Sequence, residues 1–145
     1  MTDQVITTLL EHIFQNENFP GIGDIVGLRS SVTDGYFYFA LHTGNPKELS
    51  DTEVSYTGYH RVAVARSASG FTVSGNRAFN FDFVTFPERE DSGANITATY
   101  FALHTALSGE GNLFESEMLV VPAVLITGQS KSYGPGTLVT EIRVV

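Results

Sequence analysis

Cysteine and tryptophan are both absent from this chain of 145 residues. Without cysteine there is no disulfide, no thiolate nucleophile and no zinc–thiolate site, so stability has to come from packing, helped by oligomerisation. Nowhere is there a run of about 18 apolar residues, the length a spanning helix needs. The amino terminus lacks a basic start followed by an apolar stretch, and Asp3 and Glu11 lie where a secretory signal would avoid acids, so export by such a signal is not expected. Charge is sparse at 17%, and only eight residues are Lys or Arg, scattered from Arg29 to Arg143. A net charge of -8 repels phosphate backbones and instead keeps a protein soluble, so neither nucleic acid nor membrane is an expected partner.

What the chain does hold is aromatic and repeated. Eleven Phe and six Tyr indicate a core shaped by aromatic rings, and fourteen Gly serve turns. The hexapeptide Tyr38-Phe39-Ala40-Leu41-His42-Thr43 recurs unchanged as Tyr100-Phe101-Ala102-Leu103-His104-Thr105. Its composition marks each copy as a strand. Alternation puts Phe39, Leu41 and Thr43 on one face and Tyr38, Ala40 and His42 on the other, with the same division in the second copy. A strand appearing twice suggests two equivalent places in one sheet system, for instance matching strands of two packed sheets.

Along the chain, Val5, Ile6, Leu9, Leu10, Ile13 and Phe14 recur at helical spacing, which predicts one helix over 3–15, capped by Thr2 or Asp3 and ended by Asn16 to Gly21. Its stripe is expected to pack on the protein's own core. A loop with apolar anchors follows over 21–34, and an exposed loop with at most an edge strand at 54–56 covers 47–57. Further strands are expected at 58–67, where small alanines imply close packing, at 71–73, and at 77–86 with Phe79, Phe81 and Phe83 on one buried face. Beyond a charged, solvated connection at 87–93 lie the second hexapeptide, a turn at 109–112, and a strand over 117–121 that Pro122 interrupts or edges and 124–127 continues. A closing strand runs from 137 to 144. Seven or eight short strands with one amino-terminal amphipathic helix describe a mainly β fold, a β-sandwich or jelly roll. We read one domain over 1–145, with helix and linker over 1–20 and the sandwich over 34–145.

Candidate chemistry is thin. His42 and His104 hold equivalent places, but a repeated strand does not bring two rings within about 4 Å, and no third ligand lies at suitable spacing, so no metal is expected. Gly21-Ile22-Gly23-Asp24-Ile25-Val26-Gly27 follows a helix instead of a strand and carries an acid, which argues against phosphate binding. There is no Gly-x-Ser-x-Gly elbow, and Glu88, Glu90 and Asp91 are interleaved by Arg89 in a polar loop. No catalytic residue and no cofactor is expected, and the chain is read as not an enzyme.

The order of pieces carries a resemblance. Phe39 to Pro46 (Phe-Ala-Leu-His-Thr-Gly-Asn-Pro), Glu53 to Arg66, Phe71 to Asn76, Val84 to Pro87, and Leu107 to Phe114 (Leu-Ser-Gly-Glu-Gly-Asn-Leu-Phe) together resemble a family of small tailed-bacteriophage virion proteins, usually labelled phage tail fibre proteins. The resemblance covers about residues 5 to 115 and is most specific across Glu53 to Arg66. It implies a structural virion component without catalytic activity. A fibre needs long repeats or a coiled-coil shaft, whereas a short acidic sandwich suits a capsid decoration or cement protein. The expected function is therefore decoration of a phage head, assembled in the host cytoplasm and seated on the capsid surface. There it binds the major capsid protein as a homodimer or homotrimer and stabilises the lattice by mass action. The alternative is a tail fibre or baseplate attachment module that docks on a tail protein and binds a receptor or glycan through Tyr56, Tyr59 and Tyr133. Candidate interface residues are Leu9, Ile13, Phe14, Phe19, Ile22, Tyr56 and Tyr59.

Overall fold

A computed structural model describes residues 1–109 and 113–143. Mainly β structure is what the sequence forms: one helix, α1 (Asp3–Gln15), and nine strands among the described residues. These are β1 (Tyr36–His42), β2 (Val62–Ala65), β3 (Phe71–Ser74), β4 (Arg77–Asn80), β5 (Val84–Phe86), β6 (Ile96–His104), β7 (Leu113–Leu125), β8 (Lys131–Tyr133) and β9 (Val139–Glu141). They make a four-stranded sheet in the order β2-β1-β6-β7, a three-stranded sheet β3-β4-β9 and a two-stranded ribbon β5-β8. The residues gather into two compact units, one of Met1–Tyr36, Ala65–Asp82 and Pro135–Val145, the other of Phe37–Val64 and Phe83–Gly134.

In the first unit, Thr2 accepts a hydrogen bond from the Val5 N–H at 3.3 Å, and Asn16 closes α1 in the left-handed region at φ 58. The helix buries Ile6, Leu10 and Phe14 and leaves Val5 exposed, so the predicted stripe packs on its own core. Phe14 meets Phe71 of β3 at 5.1 Å between ring centroids, and the Thr7 hydroxyl donates to the Gly75 carbonyl at 2.9 Å in the β3–β4 turn. Arg66 donates to the last-turn carbonyls of His12 and Ile13 at 3.0 and 2.7 Å, which places a cation at the negative end of the helix dipole.

The strand expected over 77–86 is two strands, which explains the ninth. Asn80 is buried, donates to the Asp82 carbonyl at 2.8 Å and accepts from the Leu138 N–H at 3.0 Å. A side chain that satisfies backbone groups in this way turns the chain out of the ladder. Phe81 and Phe83 are consequently exposed and do not share a buried face with half-buried Phe79. The last strand is likewise shorter than expected, and Val144 lies outside the described residues.

In the second unit the two hexapeptides lie side by side in one sheet. They pair antiparallel with Tyr38 opposite His104, Ala40 opposite Ala102 and His42 opposite Tyr100. The register is symmetric about the Ala40–Ala102 pair, so the repeat forms a local two-fold. Phe39, Leu41, Phe101 and Leu103 fill one face, with Phe39 and Phe101 at 6.0 Å. Only Val62–Ala65 of the stretch 58–67 is strand, and Ala63 is exposed, so close packing is not what its alanines provide. The edge strand expected near 54–56 reduces to a single bridge between His42 and Glu53.

β7 pairs with β6 in three registers: Ile96–Ala98 against Ala123–Leu125, Tyr100–Leu103 against Glu115–Met118, and His104 against Leu113 after a second shift. Only Thr99 separates the first two stretches on β6, while Leu119 to Pro122 separate them on β7. Pro122 cannot donate to a ladder, and the strand bulges there. The connection 87–93 is also more ordered than its charge suggests. Arg89 is buried, gripping Asp91 at 2.7 and 2.9 Å and the Leu125 carbonyl at 2.8 Å. Asp91 in turn accepts the Thr57 and Gly93 N–H groups, and its bonds, that to Arg89 first, hold its carboxyl down at about 2.

Candidate functional site

The polar groups of the second unit converge on the face of the repeat opposite the phenylalanines. Ala40 and Ala102 are both 0% exposed and leave the space above them free for larger neighbours on the same face. His42 and His104 fill it. Their Nε2 atoms lie 3.3 Å apart, the rings are inclined by only 16°, and the centroids are 5.5 Å apart, so each ring aims this nitrogen at the other. The expectation that the two rings stay apart is thereby overturned. Alternation defined the face, but only the symmetric register brings both tips to the same axis.

The pair is not symmetric in its surroundings. His42 Nδ1 lies 2.8 Å from the Thr52 hydroxyl, whereas His104 Nδ1 is buried without a partner. Beside them Arg61, with its side chain 3% exposed, donates to both carboxylate oxygens of Glu53 at 2.8 and 2.9 Å. It also donates to the Ala106 and Gly109 carbonyls at 2.8 and 3.0 Å. Tyr59 donates to Glu53 at 2.8 Å. Burial raises the Glu53 carboxyl, but these hydrogen bonds outweigh it and leave the group below its ordinary value. Burial is also the main cause that lowers both histidines. For His104 the Arg61 charge adds to it, and the group falls to about 4.

A cavity of 280 Å³ opens beside the pair, lined by His42, His104, Arg61, Leu113 and the segment 46–53. That segment is tied down by the Thr43 N–H to the Thr52 carbonyl at 2.8 Å and the Val54 N–H to the Leu41 carbonyl at 2.9 Å. No cluster of three or more metal-ligating side chains occurs among the described residues. Sequence reasoning missed Arg61 and Glu53. The signal was the alternation of His60 and Arg61 entering a strand, which does not say which of the two points inward.

The interface candidates are dispersed. In the first unit, Phe14 and Phe19 are buried, Leu9 and Ile13 half-buried and Ile22 exposed. In the second, Tyr56 and Tyr59 are half-buried, their rings 5.2 Å apart, and Tyr59 stacks on Phe86 at 6.5 Å. The Tyr56 hydroxyl donates to the Pro87 carbonyl at 2.7 Å, and Tyr133 meets Phe86 edge-on at 6.2 Å. These tyrosines belong to an internal aromatic cluster and are not the freely exposed platforms the sequence suggested. The loop over 21–27 is closed by Asp24, which accepts the Val26 and Gly27 N–H groups and the Arg29 guanidinium, so the donors a phosphate would need are already taken.

A second surface feature stands out on β7, the outer strand of the four-stranded sheet. Met118, Val120 and Val121 are 65%, 96% and 71% exposed, and Val124 and Ile126 extend the apolar line. Edge strands of soluble proteins are ordinarily blunted by charge or covered.

The family model for podophage GP4 fiber I protein gp80 matches residues 1–141. The chain belongs to that family. It is a phage structural protein and a component of the virion, in line with the resemblance read from its motifs. Of the two virion readings, the family's description favours the fibre. Among curated proteins, none matches the chain. No helix among the described residues is long and apolar enough to cross a membrane.

Proposed function

We propose that the chain is a non-catalytic structural subunit of a podophage fibre, and that it assembles with further copies of itself through the edge of β7. The observation that carries the assembly surface is the apolar line Met118, Val120, Val121 and Val124 on the last strand of a sheet. Such an edge offers backbone donors and acceptors together with apolar side chains, which is the chemistry a second β-strand fits. The family description supports the fibre. The polar cluster around Arg61 supports a structural role, because Glu53 is committed to Arg61 and Tyr59 and has no lone oxygen poised as a base.

The test is to separate purified virions into heads and tails with their fibres, and to count this protein in each fraction by mass spectrometry. Recovery with the tail and fibre fraction supports the proposal. Recovery of hundreds of copies with heads would return the assignment to capsid decoration, with the major capsid protein as partner.

A further inference from the structure

Two neutral imidazoles that touch through Nε2 need one proton between them, because one nitrogen must donate and the other accept. The surroundings decide which. If His42 donated, His104 would carry its own proton on Nδ1, leaving a buried N–H without an acceptor. If His104 donates, its Nδ1 is a bare lone pair, and His42 carries its proton on Nδ1 and gives it to the Thr52 hydroxyl at 2.8 Å. Orphaned buried donors are rarer than under-satisfied acceptors, so the second arrangement holds. The result is a directional chain from His104 through His42 to Thr52, linking β6 and β1 to the segment 46–53.

A second proton has only one vacant nitrogen, His104 Nδ1. Protonation there puts a positive charge in a buried site beside Arg61, whose guanidinium also holds the Ala106 and Gly109 carbonyls. Glu53 offsets only part of it, because its carboxylate is bound by Arg61 and Tyr59. Tyr38 and Tyr100 flank the pair on β1 and β6. Lys47 is paired with Glu115 of β7. Glu48 and Asp51 line the cavity from the segment above it, and Leu113 contributes only apolar surface from β7. Arg61 is thus a charge of like sign acting on His104, and it fastens both Glu53 and the turn at 106–109.

We propose that the His42–His104 pair is an acid-sensing latch, closed while it shares one proton and opened when a second proton forces His104 away from Arg61. Opening frees the segments 46–53 and 106–109 and unroofs the cavity that 46–53 lines. The inference stands on the geometry of the second unit alone and does not depend on the fibre reading. A metal chelated by the two Nε2 atoms is the competing chemistry, but it would require Nδ1–H on His104, the orphan donor that the shared proton avoids.

The decisive measurement is proton–nitrogen correlation NMR of the imidazoles in the intact chain from pH 8 to pH 4, with amide exchange recorded alongside. The expected result is Nε2–H on His104 and Nδ1–H on His42 at neutral pH, with no protonation until well below the ordinary histidine range. Exchange of the amides in 46–53 and 106–109 should then rise at least tenfold as the pair titrates, while the Phe14–Phe71 region is unchanged. In His104→Phe the tenfold rise should be absent. Independent titration of both rings at ordinary values would overturn the proposal. So would exchange that rises equally across the chain, or stoichiometric capture of added Zn²⁺ by the two Nε2 atoms at neutral pH.

Discussion

Ala40 lies directly across from Ala102, and neither exposes any surface. This contact of two methyl groups is what permits the histidine pair, because any larger residue at the centre of the repeat would occupy the space in which the imidazole tips meet. Ala102→Val is therefore expected to destabilise the chain by about 1–3 kcal/mol through overpacking. Urea unfolding monitored by tyrosine fluorescence measures the loss. The His42–His104 coupling should be lost with it, visible as two independent imidazole titrations.

Arg61→Met removes a guanidinium that fastens one carboxylate and two carbonyls, and leaves Glu53 facing the buried pair without its counter-charge. Breaking a buried pair from one side costs about 3–5 kcal/mol. The expected value lies at the lower end because Glu53 keeps the Tyr59 hydroxyl and is 27% exposed. The double variant Arg61→Met with Glu53→Gln should recover part of the loss, and a double-mutant cycle from denaturant melts reads the coupling.

Stability should fall on acidification in a defined window. Folded His104 titrates at about 4, held down by burial and then by Arg61, while the unfolded chain takes up its proton near the ordinary value of about 6.5. Between these values the unfolded state binds more protons, so the contribution is complete above about pH 6.5 and is lost as pH drops towards 4. His42 is lowered in the same sense. The limiting slope from one such group is about 1.4 kcal/mol per pH unit. Melting temperatures across this range test it, and His104→Phe should flatten the profile.

On β7, Val120→Lys with Val121→Glu places charges where the side chains are 96% and 71% exposed. Surface changes of this kind alter folding stability by about 0.5 kcal/mol or less. Self-association is expected to weaken at least tenfold, as read by light scattering after size-exclusion chromatography. Unchanged assembly would remove β7 as the contact between copies.

Phe14→Ala in the first unit should cost about 3–5 kcal/mol, since the ring is buried against Phe71. Leu9→Ala, at a half-buried position on the same helix, should cost clearly less. Thermal unfolding by circular dichroism separates the two.

The helix was legible to its ends because periodicity and caps act locally: Thr2, the stripe at Ile6, Leu10 and Phe14, and Asn16 each work within a turn or two. The hexapeptide strands were legible for the same reason, whereas β7 runs from Leu113 through Pro122 to Leu125 and only shifts its register there. What sequence could not supply was partnership at a distance. Alternation assigned His42 and His104 to a face, but the antiparallel register that brings them tip to tip joins residues on strands far apart in the chain. Residue type gave no sign of the burial of Asn80 and Arg61. Both are polar and both are buried, each satisfying backbone groups of a neighbouring segment. Phe81 and Phe83 were misread in the opposite sense, since one turn centred on Asn80 removes them from the ladder.

The duplicated hexapeptide is its own complement. Because Tyr38–His42 aligns with Tyr100–His104 symmetrically about one alanine pair, the same local pairing is available between the first copies of two different chains, or between the second copies. Strand recognition at this position therefore carries no label for self against neighbour. The choice is left to the covalent tether between the copies and to the flanking contacts of Thr52, Glu53 and Arg61. During synthesis of many virion subunits at once, correct folding depends on the tethered partner arriving before an identical one from a neighbouring chain does.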